Sequence, residues 1–367
     1  MAKMAWRVAV VANLKHNVAV DPDAPPDALA EYDSEETVEG IAEALRAAGH
    51  EVIFLEADVS FLDRIRRAGV DICFNIAEGI RGDSREAQIP AVLEMLGIPY
   101  TGSKVLAQAI SLDKAATKRI WRDHGLPTAP FQVFVRGDEP LSPELAFPLF
   151  VKPLREGSGK GIVPNSVVHD EAALREQVRW VLRNYHQPAL VETFLPGREF
   201  TVGLIGNTLA PGELPLSPLY DERGFHVFPI LEVDLSPIAE AGGVYDSHVK
   251  SDLPLAADYR CPAPLSEEMT QEIKRLAVAA FETIGALDFS RVDLRLGADG
   301  RPYLMEINTL PGLNPTYSDL VLAARADGML YVELVQEILN QAANRYGLTV
   351  PHLWDMAQVM VPRRSAW

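Results

Sequence analysis

The stretch SRVDLRLGADGRPYLMEINTLPG, residues 290–312, constrains the fold more than any other part of the chain. Two strand-like runs, RVDLRL and RPYLMEIN, flank Asp299-Gly300, a pair that favours a two-residue hairpin turn. With those two residues as the turn, Ala298 pairs with Arg301, Asp293 stands opposite Glu306, and Arg291 stands opposite Asn308. Side chains alternate along a strand, so Asp293, Glu306 and Asn308 share one face, and a slip of two residues leaves that face unchanged. Directly opposed carboxylates repel each other, and a cation between them removes the conflict. Two carboxylates and an amide, with no His or Cys, suit Mg²⁺ or Mn²⁺ completed by substrate phosphates. The alternative is a solvated hairpin whose acids are balanced by Arg291 and Arg295.

The rest of the chain supplies an α/β framework for that hairpin. Residues 6–12 form a largely apolar run that reads as a buried strand. DSEETVEGIAEALRAAGHEVIFLEAD follows as a helix capped by Asp33 or Ser34, ended by Gly49, and succeeded by a second strand. VDICFNIAEG reads as a third strand, PAVLEMLG as a helix and IPYTG as a short further strand, so a parallel α/β layer is expected up to residue 112. The stretch at 111–195 alternates helices and strands as a smaller α+β unit. Beyond it lie extended, proline-rich segments, a long helix at 266–285, the hairpin, and a last helix from Leu330 to about residue 346. The boundaries expected from this pattern are 1–112, 113–196 and 197–346, with residues 347–367 as a tail packing on the core.

Two further segments carry candidate chemistry. PLFVKPLREGSGKGI sets Lys152 near the end of an apolar strand and follows it with Gly157, Gly159 and Gly161. Such a loop lets backbone N–H groups approach a phosphate, although its spacing is neither a Walker A motif nor GxGxxG, and a plain mobile turn is the alternative. ALVETFLPGREFTVGLIGN reads as two apolar strands around a tight Pro-Gly turn, with Glu192 ending the first and Glu199 starting the second. Acids there could accept hydrogen bonds from an adenine amino group and from ribose hydroxyls; edge-strand charges are the alternative.

Charge bounds the partners. The 367 residues carry 51 acids against 34 Lys and Arg, a net charge of -17, so the surface repels nucleic acid and anionic membranes. No run approaches the roughly 18 apolar residues of a membrane span, and a cytoplasmic protein with reduced, structural Cys73 and Cys261 is expected. Residues 21–37 hold seven of the acids and no Lys or Arg, and are expected to form an exposed loop away from any bound phosphate.

Taken in order, SLDKAATKRIWRDHGLPTAPF, FVKPLREGSGKGI, LVETFLPGREF, YDSHVK and RVDLRLGADGRPYLMEINTLPG resemble the motif series of the ATP-grasp superfamily, and within it the D-alanine-D-alanine ligases. The resemblance runs from about residue 71 to residue 339. It implies a three-domain α/β ATP-grasp architecture: an N-terminal parallel α/β domain, a small central α+β domain and a C-terminal α+β domain, with ATP between the last two. It also implies ATP-dependent, ADP-forming peptide-bond synthesis through an acyl phosphate, small amino-acid substrates, a place in cell-wall peptidoglycan synthesis, and a homodimer through the N-terminal domain. Residue by residue, the resemblance puts Lys114 and Lys152 on the nucleotide phosphates, Glu192, Thr193, Phe194 and Leu195 on the adenine, Glu199 on the ribose, and Lys250 on the terminal phosphates. Gly157 and Gly159 belong to a lid, and Ser158 matches its substrate-covering serine. Asp293, Glu306 and Asn308 match ligands of Mg²⁺, with two ions expected, and Arg291 and Gly312 match the groups that hold the oxyanion of the tetrahedral intermediate.

The departures fall on the amino-acid side. The acid that holds the first substrate's ammonium is not placed by the motif, and Glu31, Asp33, Glu35 and Glu36 are all candidates. Glu78-Gly79 stands where the family has His-Gly, and Ser251 where it has a tyrosine after the loop lysine. NTLPGLNPTYSDL is one residue longer than the usual spacing, with Tyr317 and Ser318 as possible contacts to the second substrate. Three readings follow: a D-alanine-D-alanine ligase, a ligase of the same mechanism on other amino-acid-like substrates, and a non-catalytic ATP-binding module. Retention of Asp293, Glu306, Asn308 and Arg291 disfavours the last.

Overall fold

The computed structural model describes residues 5–18, 24–234 and 258–348. Strand β1 (Arg7–Ala12) is buried along nearly all its length. It pairs in parallel with β2 (Glu51–Glu56) on one side and β3 (Ile72–Asn75) on the other. Helix α1 (Glu35–Ala47) makes the first crossover. Ser34 caps it by accepting from the Thr37 N–H at 3.3 Å, and Val38, Ile41, Ala42 and Leu45 form its buried stripe. Helices α2 (Phe61–Ala68), α3 (Gln88–Leu96) and α4 (Val105–Leu112) complete this part.

The strand expected at IPYTG is reduced to a single bridge between Cys73 and Tyr100. Its ladder stops because the Thr101 hydroxyl takes the Asn75 N–H at 2.9 Å and the Gly102 N–H turns to Asp288 at 2.8 Å.

The middle of the chain contains α5 (Lys114–Asp123), β4 (Phe131–Phe134), β5 (Leu149–Pro153), β6 (Val167–Val168), α6 (Glu171–Tyr185) and β7 (Ala189–Thr193). Its strands form an antiparallel sheet in the order β4-β7-β5-β6 over a separate core that includes Phe134, Leu149, Val151, Leu174 and Val178.

The remainder contains β8 (Glu199–Gly206), β9 (Phe225–Val227), β10 (Leu231–Asp234), β11 (Asp258–Arg260), α7 (Glu267–Thr283), β12 (Asp288–Leu296), β13 (Pro302–Asn308), α8 (Asp319–Ala326) and α9 (Tyr331–Arg345). Its antiparallel sheet runs β11-β10-β8-β12-β13, with β9 also on β8. The Pro-Gly segment between β7 and β8 is therefore not a hairpin turn. Its flanking strands enter different sheets, and residues 194–198 become the connection between them.

The hairpin of β12 and β13 departs from expectation twice, and the departures cancel. Its turn is wider than Asp299-Gly300: Gly297 donates to the Arg301 carbonyl at 2.9 Å, and Leu296 pairs with Pro302, so Ala298 and Arg301 are not ladder partners. A bulge at Met305 then restores the register, giving Asp293 opposite Glu306 and Arg291 opposite Asn308. Val292, Leu294, Leu304 and Ile307 face a core beneath the sheet.

The first and third parts share one core. Val8, Val10, Ile41 and Leu45 pack with Phe289, Leu334 and Ile338 in a continuous cluster. Buried Asp288 ties them further, since it accepts from Gly102, from Asn207 at 3.0 Å and from Arg345 at 2.7 Å. Of the expected tail, Leu348 packs on this core, and residues 349–367 lie outside the described residues.

Candidate active site

Two adjoining cavities lie where the three sheets meet. The first is lined by β5, β7 and the connection after it, and by the outward face of the β12-β13 hairpin; Lys152, Glu192, Thr193, Phe194, Leu195 and Glu199 all border it. The second is bordered by Arg291, Asn308 and Gly312 on one side and by Glu31, Asp33, Glu78 and Glu86 on the other. Lys114 and Glu306 line both, so these two side chains mark the junction.

In the first cavity the charges are matched internally. Lys152, on β5, ion-pairs with Glu192 at 2.7 Å, and Lys118, from α5, reaches the same carboxylate at 2.8 Å. Burial alone would raise the Glu192 carboxyl, but Lys118 and Lys152 overcome it and bring it down to about 2. The Glu192 carboxylate thus positions Lys152 and Lys118 at the wall of this cavity. Lys118 carries no sequence signal beyond its place four residues after Lys114 on an amphipathic helix.

Phe150 and Phe194 stack with centroids 6.4 Å apart, and the Arg295 guanidinium lies 5.3 Å from the Phe194 ring. These aromatic faces suit a planar heterocycle. Arg295 also bonds Glu199 at 3.4 Å. Met305, which the bulge swings outward, lines this cavity beside Glu306.

The hairpin's polar face holds the expected oxygen donors together. Asp293 accepts from Thr201 Oγ1 at 2.7 Å, from Arg291 Nη2 at 2.9 Å and from Asn308 Nδ2 at 3.1 Å. Glu306 lies 3.3 Å from Lys114 Nζ. Among the described residues no group of three or more His, Cys, Asp or Glu is placed to hold a metal. Two carboxylates and an amide still fit a hard divalent cation whose remaining ligands are phosphate oxygens and water. Arg291 and Lys114 balance these acids here, Arg291 being one of the two partners named for a hairpin without a metal. Arg291 is also anchored at 3.0 Å by Asp319.

The glycine loop roofs both cavities: Gly157 and Ser158 border the second, while Gly159 and Lys160 border the first. Ser158, Gly159 and Gly161 have φ of 49°, 72° and 71°. At Gly161 a Cβ would sit 2.3 Å from Pro153 Cγ, so glycine is required there. The acidic segment, expected to be exposed, docks on this loop. Glu31 accepts from the Gly157 N–H, from Lys160 Nζ at 3.0 Å and from Arg85 Nη2 at 2.7 Å. Asp27 accepts from the Gly161 N–H at 2.8 Å and from the Tyr185 hydroxyl. The loop amides of Gly157 and Gly161 hold these carboxylates, because a glycine turn leaves its N–H groups open to an anion nearby.

On the far side of the second cavity, a Cβ at Gly312 would meet Ser318 Oγ at 3.0 Å. Ser318 itself is buried and accepts from the Asn314 N–H at 2.8 Å, and Tyr317 is 52% exposed. Both lie outside the two cavities. Glu35 and Glu36 are exposed in the first turn of α1, which leaves Glu31 and Asp33 as the cavity acids of that segment. Lys250 and Ser251 lie outside the described residues. Among the described residues, no helix is long and apolar enough to cross a membrane.

An antiparallel central sheet carrying Lys152, with Lys114 and Lys118 on the helix before it, facing a larger sheet with an acidic hairpin, defines the ATP-grasp class. The family model described as D-ala D-ala ligase C-terminus matches residues 120–340. The chain belongs to the D-alanine-D-alanine ligase family. A D-alanine--D-alanine ligase of Syntrophotalea carbinolica is 36% identical, with 84% of this chain and 91% of the relative covered. One of Bordetella petrii is 34% identical over 83% and 86%. An uncharacterized protein of Sinorhizobium fredii, y4sG, is 35% identical over 84% and 88%. The crystal structure of the Bacillus anthracis D-alanine--D-alanine ligase complexed with ATP superposes with a TM-score of 0.70 at 22% identity, covering 94% of this chain and 99% of that one. That likeness concerns the fold.

Proposed function

We propose that the protein is an ATP-dependent, ADP-forming ligase that joins the carboxylate of one amino acid to the amine of a second, with D-alanine at both positions as the leading assignment. The observation that carries this reading is the junction. Lys114 and Glu306 border an aromatic-walled cavity on one side and, on the other, a cavity bearing Arg291 and Gly312. A phosphoryl group at the inner end of the first and a carboxylate at the inner end of the second would meet there.

The chain's own groups then divide the work. Lys152, held by Glu192, and Lys114 neutralise the phosphates, and Phe150 and Phe194 flank the base. Mg²⁺, held by Asp293, Glu306 and Asn308 together with phosphate oxygens, would supply charge neutralisation on the transferring group. A carboxylate is a poor electrophile, so it is first phosphorylated at the junction, after which the amine attacks the acyl phosphate and phosphate leaves. Arg291 and the Gly312 backbone N–H are the donors for the oxyanion that develops. The loop at 157–161 excludes water, which would otherwise hydrolyse the acyl phosphate.

The test is phosphate release from ATP with single and paired D- and L-amino acids, with the product identified by mass. Release with D-alanine and formation of D-alanyl-D-alanine is the expected outcome; no release on any amino-acid pair overturns the ligase reading. The same chemistry on another amino acid is the second reading, and it is favoured by the number of carboxylates in the second cavity.

A further inference from the structure

A small polar cluster lies behind the wall of the second cavity, in which neither the metal face nor the lid has a part. Helix α4 carries Gln108 and, one turn on, Ser111, while Thr309 directly follows the end of β13. Thr309 Oγ1 donates to Gln108 Oε1 at 2.5 Å and lies 2.8 Å from Ser111 Oγ, which also reaches the Gln108 carbonyl at 3.0 Å. Ser111 and Thr309 line the cavity, and Gln108 stands fully buried behind them. Among the described residues Gln108 Nε2 has no hydrogen-bond partner. An amide N–H left unpaired in the interior is costly, and a methionine would fill nearly the same space without that cost. Packing alone therefore does not account for a glutamine here. Its one partnered side-chain atom is Oε1, and what that atom holds is the Thr309 hydroxyl.

Both hydroxyls adjoin groups assigned to the reaction. Thr309 lies between Asn308 and Gly312, and Ser111 lies just before Asp113 and Lys114, where the Asp113 side chain caps α5 by accepting from the Ala116 N–H at 2.9 Å. The β12-β13 ladder ends at Asn308, so the segment that leads to Gly312 has no strand partner to fix it. We infer that Gln108 is a positioning residue for the ligase reaction, an assignment that rests on that reading. Through the Thr309 hydroxyl it sets the segment bearing Asn308 and the Gly312 N–H against the helix end that leads to Lys114. An oxyanion donor acts only where it meets the developing charge, so a shift of this segment weakens the chemical step. Gln108, Ser111 and Thr309 do not border the nucleotide cavity, and ATP binding is left alone.

Gln108→Met in the full-length enzyme is the test, assayed on the amino-acid pair that the wild type turns over best. The variant is expected to melt at or above the parent temperature, because the unpaired N–H is gone, while kcat falls about tenfold and KM for ATP stays within about twofold. Thr309→Val, which keeps the shape and loses the hydroxyl, should lose as much, and Thr309→Ser, which keeps the hydroxyl, should retain most of the parent kcat. The double variant Gln108→Met with Thr309→Val should be no slower than either single, since both remove the same bond. Parental kcat in Gln108→Met, or additive losses in the double variant, overturns the inference and leaves the ligase reading standing. A melting temperature below the parent's in Gln108→Met also overturns it, because the glutamine would then be a packing residue. Absence of wild-type turnover on every amino-acid pair overturns the ligase reading, and the inference falls with it.

Discussion

The two cavities share a wall and differ in how their charges are settled. In the nucleotide cavity each buried acid has a cation at contact distance: Glu192 has Lys118 and Lys152, Asp293 has Arg291, and Glu306 has Lys114. In the amino-acid cavity Asp33, Glu78 and Glu86 have no cation at contact distance, although Arg85 lies near enough to Glu78 and Glu86 to oppose the effect of burial on both. The first arrangement is preorganised, since lysines already fixed by carboxylates lose little entropy when they turn to a phosphate. The net charge of -17 therefore does not oppose ATP binding, because the acids near the phosphates are neutralised locally and the unmatched ones sit on the substrate side.

The sharpest way to break the comparison is at the shared wall. Glu306→Gln removes a carboxylate from both cavities and from the hairpin's polar face, and kcat should fall by about a thousandfold or more. Asp293→Asn should act similarly, with the folded state kept because Thr201 and Asn308 still have a partner. Full ATP turnover in either variant would remove these residues from the phosphoryl-transfer step.

An intermediate effect is expected from Lys118→Met, which touches the nucleotide side alone. Glu192 would keep Lys152 as its partner but draw it more tightly, and KM for ATP should rise about tenfold with a smaller change in kcat. Equal loss in kcat and KM would show that Lys118 matters for folding and not for positioning. Glu31→Gln acts on the lid from the amino-acid side. Release of Gly157 and Lys160 should leave the acyl phosphate exposed to water, so phosphate release should outrun peptide formation by about a fewfold. Tight coupling of the two products in this variant would mean that the docked acidic segment does not hold the lid.

Sequence reading reached the hairpin's chemistry for a reason that survives its errors. Strand alternation fixes which face Asp293, Glu306 and Asn308 share, and a turn one step wider was compensated by the bulge at Met305. Neither the wider turn nor the bulge has a strong local signal, since Gly297 and Gly300 both permit several turns. Local pattern also placed α1, α5, α6 and the long α7, whose caps and apolar stripes lie within one segment. What it missed was long-range. Nothing near Glu31 says that its carboxylate meets Gly157, 126 residues away, and a run of acids between prolines reads as solvated when its partners are unseen. Lys118 was passed over because its partner, Glu192, lies on a strand of a sheet that only the fold assembles. Tyr317 and Ser318 were expected from the resemblance; Ser318 packs beside Gly312 and bonds the Asn314 N–H, and Tyr317 is about half exposed.

The smallest expected effect separates the two charge arrangements by pH. Glu86 has its carboxyl raised from 4.5 to about 7 in the folded protein by burial, with Arg85 opposing and Glu31 adding to the rise. Between those values the folded state binds more protons than the unfolded one, so folding stability falls as pH rises from about 4.5 to about 7. Glu86→Gln abolishes that loss. At pH 8 the variant should melt above the parent by a margin on the order of 1 kcal/mol, and at pH 4 the two should coincide. Glu192 has the opposite sign: its carboxyl is held down near 2 by Lys118 and Lys152 against burial, so its contribution is present above about pH 4.5 and is lost as pH falls toward 2. Glu192→Gln should therefore destabilise at pH 8, where Glu86→Gln stabilises. Opposite signs at one pH, measured by thermal melts of two single variants, are what matched and unmatched carboxylates require. A stabilisation at pH 8 from both would mean that the nucleotide cavity is as short of cations as its neighbour.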